Sequence, residues 1–216
     1  MARRSNIMQH ADQQDSVSEW NSRAQNHGLH AVFTKRWSED ECQQVDRLQQ
    51  ENMFLLLGDL SGKVVLDLGC GIGRLSGPLS KRAGKVIGVD ASPGMLHRAR
   101  SELPSVEFVL ASAHDLPFPD ASFDVVVACY VLQHILDDAW LRLAICSLAR
   151  VAKPGGLTFL MDGTGSEFSR PSNSHVTVIR TWEEYHRLMS VGFRLLARES
   201  LTCVQDAYTL SLWKRR

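Results

Sequence analysis

Two carboxylates bracket a glycine turn in the first half of this chain. Asp67 lies inside the run VVLDLGCGIG, from Val64 to Gly73, and Asp90 closes KVIGVD. A carboxylate just ahead of the glycines repels a pyrophosphate but suits a cationic ammonium group. A carboxylate at the end of the next strand can accept hydrogen bonds from both hydroxyls of a ribose. Further on, CYVLQHI carries His134, whose imidazole can take a proton from a hydroxyl or an ammonium. Tyr130 and Gln133 flank it as groups that can orient a second molecule. These residue types describe a cleft for a nucleoside-bearing cofactor beside a site for an acceptor.

The glycine spacing narrows the cofactor. It reads Gly69-x-Gly71-x-Gly73 rather than the G-x-G-x-x-G of a dinucleotide site. Counted from Gly71, the third position of that fingerprint is Ser76. With Asp67 in place, the arrangement argues for S-adenosylmethionine over NAD. An NAD-linked oxidoreductase would need the third glycine and gives no reason for Asp67.

The elements that position these residues follow from pattern. Short apolar runs predict strands at Val64–Leu68, Lys85–Val89, Val106–Leu110, Asp124–Ala128 and Leu157–Met161. Helices are predicted between them. One spans Gly73–Arg82. One spans Pro93–Arg100, capped by Ser92. One opens at Asp137 or Asp138, runs to Val151, and turns Leu141, Ile145, Leu148 and Ala149 inward. Lys153 to Gly156 reads as a turn, and 162–175 as a polar loop. Thr181 and Glu184 form a capping box for Trp182–Met189. Strands near Arg194–Glu199 and Tyr208–Trp213 close the chain as a hairpin. The sum is an α/β fold: a Rossmann-like, seven-stranded, mainly parallel sheet, helices on both faces, and a C-terminal antiparallel hairpin.

Residues 1–58 are set apart as an N-terminal helical extension or lid ahead of the binding domain at 59–216. Positions 1–18 are polar and expected to fray. A helix from Ser38 to Leu57 is capped by Ser38, has Glu39, Asp40 and Glu41 in its first turn, and predicts an inward stripe of Val45, Leu48, Asn52 and Leu55 or Leu56. Trp20, Phe33, Arg36 and Trp37 are placed to cover the cleft.

Bulk properties exclude several classes. The 216 residues carry 24 basic and 24 acidic side chains, so a nucleic-acid partner is not expected. Small terminal patches, Arg3 and Arg4 at one end and Lys214, Arg215 and Arg216 at the other, are read as solubility features. The five cysteines (Cys42, Cys70, Cys129, Cys146, Cys203) are widely spaced with no C-x-x-C, which predicts reduced thiols and no metal site. No apolar stretch is long enough to span a membrane, and no secretory signal is visible. A cytoplasmic protein, monomer or homodimer, is expected.

At motif level the chain resembles the class I S-adenosylmethionine-dependent methyltransferases of the small-molecule, type 11-like branch. VLDLGCGIGRLS, VIGVDASPGML, VEFVLASAHDLPFPDASFDVVVACYVLQHI and LARVAKPGGLTFL resemble that family's motifs in order, across about residues 60–162. The resemblance implies S-adenosyl-L-methionine as cofactor and S-adenosyl-L-homocysteine as product. It implies that Asp67 and the backbone of Gly69 hold the methionine end, and that Cys70, Gly71 and Gly73 shape the loop. Asp90 would take the ribose, and Ala91, Ser92 and Met95 would line the adenine. Ala113 would offer an N–H to the ring, and Ala128 or Cys129 a carbonyl to the cofactor amine. Relatives often read GDA where this chain has Ala111-Ser112-Ala113, so Ser112 replaces an acidic partner of the adenine, with His114 and Asp115 close enough to compensate. Arg36 is a candidate for the methionine carboxylate.

The acceptor side is less specified. His134 is the candidate general base and Tyr130 its companion. Asp162, His175, Arg180, Tyr185 and His186 lie near the open edge. The mixed polarity of the loops predicts a small organic acceptor, a natural product or a short peptide end, methylated on oxygen or nitrogen with carbon left open. A quinone or lipid is disfavoured because no long apolar entry helix is visible. The competing class is a non-catalytic partner that keeps the fold.

Overall fold

The computed structural model describes residues 16–34, 36–169, 176–204 and 206–216. Five parallel strands and a returning hairpin build the sheet: β1 (Val64–Leu68), β2 (Lys85–Asp90), β3 (Glu107–Leu110), β4 (Phe123–Cys129), β5 (Ala152–Gly165), β7 (Phe193–Cys203) and β8 (Asp206–Arg215). Their order is β3-β2-β1-β4-β5-β8-β7, and the two-residue β6 (Arg180–Thr181) pairs with the end of β5. Strand direction is parallel through β5 and antiparallel at β8 and β7. The chain runs outward from β1 to β3 and then starts again on the other side of β1 with β4. That reversal leaves a crevice beyond the carboxyl ends of β1 and β4, where ligands bind in such sheets.

Period-two alternation explains the two cores. Val65, Val125, Val127, Phe159 and Met161 face one side, where they meet Met53 and Leu57 of α2 (Glu39–Leu57), Leu79 of α3 (Ser76–Ser80) and Leu96 of α4 (Pro93–Glu102). Leu66, Leu68, Val126, Ala128 and Leu160 face the other. There they meet Leu141, Ile145, Leu148 and Val151 of α5 (Asp138–Val151) and Met189 of α6 (Trp182–Met189). Ser38, Ser92, Asp137 and Thr181 cap α2, α4, α5 and α6 as their types predict.

Several boundaries differ from the pattern. The helix expected from Gly73 begins only at Ser76. Gly71 and Gly73 sit at φ 54 and 85, so the chain is still turning there. The stripe on α2 is Cys42, Val45, Gln49, Met53 and Leu57, and Leu55 is exposed. The helix turns these positions onto the sheet because Met53 and Leu57 sit in its core. β5 begins at Ala152 and loops out residues 153–156 between the pairs Phe123–Ala152 and Val125–Leu157. The expected turn is therefore a bulge inside the strand. β5 also continues through Asp162 to Gly165, into the stretch read as loop. The final hairpin is longer at both ends because β7 and β8 keep pairing with each other, from Phe193–Arg215 to Cys203–Asp206.

Residues 16–23 form a helix, α1, whose first three positions fall in the stretch 1–18 expected to fray; residues 1–15 lie outside the described residues. It is held to α4 through Asn21, whose Oδ1 accepts from the Gly94 N–H at 2.9 Å and the Ser92 hydroxyl at 2.7 Å. A Cβ at Gly94 would stand 3.0 Å from that oxygen, so glycine there is what lets the two helices meet. Arg98 ties down the following segment by donating to the carbonyls of Asn26 and Gly28.

Candidate active site

The carboxyl ends of β1, β2 and β4 open into one large cleft of about 1300 Å³, its open mouth included. One end is built mainly from backbone. Gly69 and Gly71, at φ 64 and 54, fold the chain back under the cleft. Cβ atoms there would reach Val131 at 2.4 Å and Val32 at 3.2 Å, so only glycine fits between those walls and a ligand. The Asp90 carboxylate accepts from the Gly71 N–H and the Ser92 N–H, both at 2.8 Å. Burial pushes its pKa up while those amides pull it down. Each oxygen still has lone pairs to offer a diol.

Asp67 is 2% exposed and accepts from the Ser76 hydroxyl at 2.6 Å. Burial raises its pKa to about 6, against the pull of Ser76 and Arg74. No cation among the described residues is in ion-pair contact with it. A buried carboxylate facing a cleft without its own counter-ion fits a ligand that brings a positive charge.

Most of the predicted binding residues come together here. Asp67, Gly69, Cys70, Gly71, Asp90, Ala91, Ser92, Met95, Ser112, Ala113, His114 and Cys129 all line the cleft. Gly73 is not among the lining residues and packs against Leu103 and Phe108 instead. Arg36 is not brought to the cleft; it is exposed, and its guanidinium donates to the Thr34 hydroxyl. Arg74, which the sequence reading passed over, is there in its place. It is nearly buried, pairs with Asp46 on α2 at 2.7 Å, and lies 5.0 Å from the centre of the Phe33 ring. Its position directly after the third glycine was a usable signal. Trp140 in the first turn of α5 was also missed. It packs against His114, ring centres 4.0 Å apart, at the Ser112–His114 end of the cleft. Burial lowers the His114 pKa, against the pull of Asp115.

The other end is built from side chains far apart in sequence. Val17 and Trp20 of α1, Val32, Tyr130, Val131, His134, Ile135 and Leu136 line it. Trp20 meets the His134 ring edge-on at 4.9 Å. Tyr130 holds a left-handed backbone at φ 59, and its hydroxyl accepts from the Gln49 amide. His134 Nδ1 donates to the Val176 carbonyl at 2.6 Å, which leaves Nε2 as the acceptor facing the Gln133 amide at 3.3 Å. Burial lowers its pKa to about 4. It is therefore neutral near pH 7 and a weak base.

The remaining candidates do other work. Phe33 and Trp37 are buried with Cys42, Val45 and Cys203 beneath the cover. Asp162, Arg180 and Tyr185 are buried behind the turn that carries His134. His186 packs on Trp182 and Trp213, and His175 lies outside the described residues. All five cysteines are free thiols, and Cys146 alone is exposed. Among the described residues no group of acidic, histidine or cysteine side chains is placed to hold a metal, and no helix is long and apolar enough to cross a membrane.

Comparison with known proteins agrees with this geometry. The methyltransferase domain family matches residues 65–156, from β1 to the bulge of β5. The ubiquinone/menaquinone biosynthesis C-methyltransferase of Vibrio campbellii is 34% identical over 184 residues, which cover 77% of this chain and 68% of that protein. The chain belongs to the class I S-adenosylmethionine-dependent methyltransferases. An uncharacterized methyltransferase of Synechocystis is 40% identical over 112 residues, covering 52% of this chain; the match spans half of that relative's length. In fold, a S-adenosylmethionine-dependent methyltransferase of Leishmania major superposes with a TM-score of 0.79 at 20% identity, over 93% of this chain and 82% of that one. The cofactor of this methyltransferase is S-adenosyl-L-methionine. The glycine cradle, the unpaired buried Asp67 and the diol-facing Asp90 fit it.

Proposed function

We propose that the protein transfers the methyl group of S-adenosyl-L-methionine to an oxygen or nitrogen of a small organic acceptor, a natural product or a short peptide end. The observation that supports this most is the continuity of the cleft: the backbone-built end around Asp67 and Asp90 opens directly into the apolar end around Trp20, Tyr130 and His134. The bound cofactor supplies an electrophilic methyl carbon, displaced from its sulfur by the acceptor's lone pair. Asp67 meets the ammonium group, and Arg74 meets the carboxylate in the role first given to Arg36. Asp90 holds the ribose, while Ser112, Ala113 and the His114–Trp140 pair border the adenine.

Catalysis in this reading rests on alignment and exclusion of water rather than on a strong base. Trp20 and Val17 cover the acceptor from above. Of the segment ahead of residue 59, Val17, Trp20 and Val32 supply that cover, and the domain from 59 onward supplies the cofactor site. Tyr130 and His134 touch the acceptor and set its angle. With His134 neutral and its one accepting nitrogen, Nε2, already facing the Gln133 amide, an acceptor that starts protonated finds only a weak base there.

A second reading, transfer to carbon, is favoured by the likeness to the Vibrio C-methyltransferase. An activated ring carbon needs no base at the site, which suits a weakly basic His134. Incubating the protein with methyl-labelled cofactor and a panel of phenols, amines, peptides and quinols decides between them. Label on a heteroatom supports the first reading and label on ring carbon the second. Tight binding of S-adenosylhomocysteine with no label on any acceptor would favour a non-catalytic partner that keeps the fold.

A further inference from the structure

The turn after β4 is uncharged over Val131–Gln133, yet two buried ions from later in the chain grip it. This turn, residues Leu132–His134, carries one wall of the cleft. Asp162 in β5, 4% exposed, accepts from the Gln133 N–H at 3.1 Å, and the backbone amides of Leu132 and Val131 also favour its charged form. Arg180 in β6, 2% exposed, donates to the carbonyls of Leu132 at 3.3 Å and Ile135 at 2.9 Å, and to the Asp138 carboxylate at 3.0 Å. The carboxylate thus takes the donors at the start of the turn and the guanidinium takes acceptors along it. Gln133 adds a third tie, its Oε1 accepting from the Gly163 N–H at 2.8 Å.

Burying two full charges is a costly way to hold one short turn. What the turn touches supplies a reason. Val131, His134 and Ile135 line the cleft. Val131 also presses on the glycine turn, where a Cβ at Gly69 would meet its Cγ2 at 2.4 Å. A shift of the Val131–His134 segment therefore moves both the acceptor wall and the surface against which the cofactor loop is set.

We propose that Asp162 and Arg180 are positioning residues of this methyltransferase, a paired clamp that sets the turn after β4 against the glycine loop and so fixes the shape of the cofactor and acceptor sites. The inference rests on the reading of the cleft as the cofactor site.

The clamp has a sensitivity that a neutral one would lack. Burial pushes the Asp162 pKa up to about 7, against the pull of the three amides and Arg180. The titratable groups that bear on it are Arg180 on β6, Tyr185 on α6 and Cys129 on β4. Tyr185 and Cys129 are pushed upward by burial, so neither changes charge near neutrality. Protonating Asp162 removes the negative charge opposite Arg180 and turns one amide acceptor into a donor.

The test uses the full chain, ¹⁵N-labelled, in wild-type, Asp162→Asn and Arg180→Lys forms. Amide resonances of Val131, Leu132 and Gln133 are followed from about pH 5.5 to 8.5, and S-adenosylhomocysteine affinity is measured at about pH 6 and pH 8. In the wild type the three amides should titrate together near pH 7, and affinity should fall about fivefold toward acid beyond the change seen in Asp162→Asn, the scale of a modest coupling. Asp67 titrates in both proteins, so the difference isolates Asp162. The amide titration should vanish in Asp162→Asn. Arg180→Lys keeps the charge but not the fork. It should keep the titration and bind the ligand more weakly. Amides that titrate alike in wild type and Asp162→Asn, or Arg180→Lys affinity equal to wild type, would overturn the clamp. If Asp162→Asn does not fold, the wild-type titration and Arg180→Lys decide. Absence of binding in every form at both pH values would instead defeat the cofactor reading, while the amide titration would still report on the clamp.

Discussion

The two ends of the cleft are made differently. The cofactor end is backbone with a few carboxylates: glycines at positive φ, amide groups aimed at Asp90, and a buried Asp67, all contributed by β1, β2 and the turns just after them. The acceptor end is side chain, drawn from α1, residue 32 and the turn after β4, with little hydrogen bonding to the cleft itself. A backbone-built site tolerates little change, because a Cβ in the wrong place collides with a wall. A side-chain wall can be re-cut by substitution without disturbing the sheet. One end is suited to a ligand that never changes and the other to a ligand that differs between relatives.

The largest effect expected of that contrast lies at the acceptor end, in stability and not in binding. His134 stays neutral in the fold down to about pH 4, whereas in the unfolded chain it takes a proton below about pH 6.5. The unfolded state therefore binds more protons in that window. The stability that neutral His134 contributes is full above pH 6.5 and is lost by about 3 kcal/mol as pH falls to 4. Asp67 and Asp162, with raised values, act in the opposite sense: the ionised forms cost stability as pH rises through about 6 and about 7. The difference in urea-unfolding free energy between wild type and His134→Gln isolates the histidine. It should shrink by about 3 kcal/mol from pH 7 to pH 4. A constant difference would mean that His134 titrates normally and is available as a base.

At the cofactor end the effects appear in affinity. Asp90→Ala frees two buried amides and removes the ribose acceptor, which should weaken S-adenosylhomocysteine binding about 50-fold by calorimetry. Gly69→Ala forces a side chain at φ 64 into Val131. It should cost about 2 kcal/mol and lower the thermal midpoint by about 4–8 °C in a calorimetric scan. Unchanged stability there would break the claim that the backbone-built end tolerates no Cβ. The smallest effect sharpens the comparison within the cationic residues. Arg74→Gln should weaken the same ligand about tenfold, the value of one charge-assisted contact, and Arg36→Gln should leave it unchanged. Equal effects would return the carboxylate role to Arg36.

The same contrast explains what could be read from the chain alone. β1, α6, the caps at Ser38, Ser92 and Asp137, and the placement of Asp67 and Asp90 rest on local rules. Glycine spacing, alternation and capping residues carry them within ten or so positions. What failed depended on distant partners. Asp162 read as loop because only pairing with β8 carries β5 that far. Leu48 packs inward on α2 as its pattern predicts, but the polar Gln49 beside it is buried too, and the partner of its amide, Tyr130, is 81 residues away. Arg74 follows the third glycine and Arg36 does not, but that local cue places Arg74 near the loop without showing what buries it. Asp46, which holds Arg74 in the cleft, is 28 residues upstream. The size and position of Trp20 suit a cover, but its contact with His134 depends on long-range ties that dock α1 on α4, Asn21 to Ser92 and Gly94 among them.

The central claim is that this cleft is built for a sulfonium nucleoside. Calorimetric titration of the full chain with S-adenosylhomocysteine, with NAD as the control, tests it most directly. Micromolar or tighter binding of the first and none of the second is the predicted result. Binding of NAD, or of neither ligand, would contradict it.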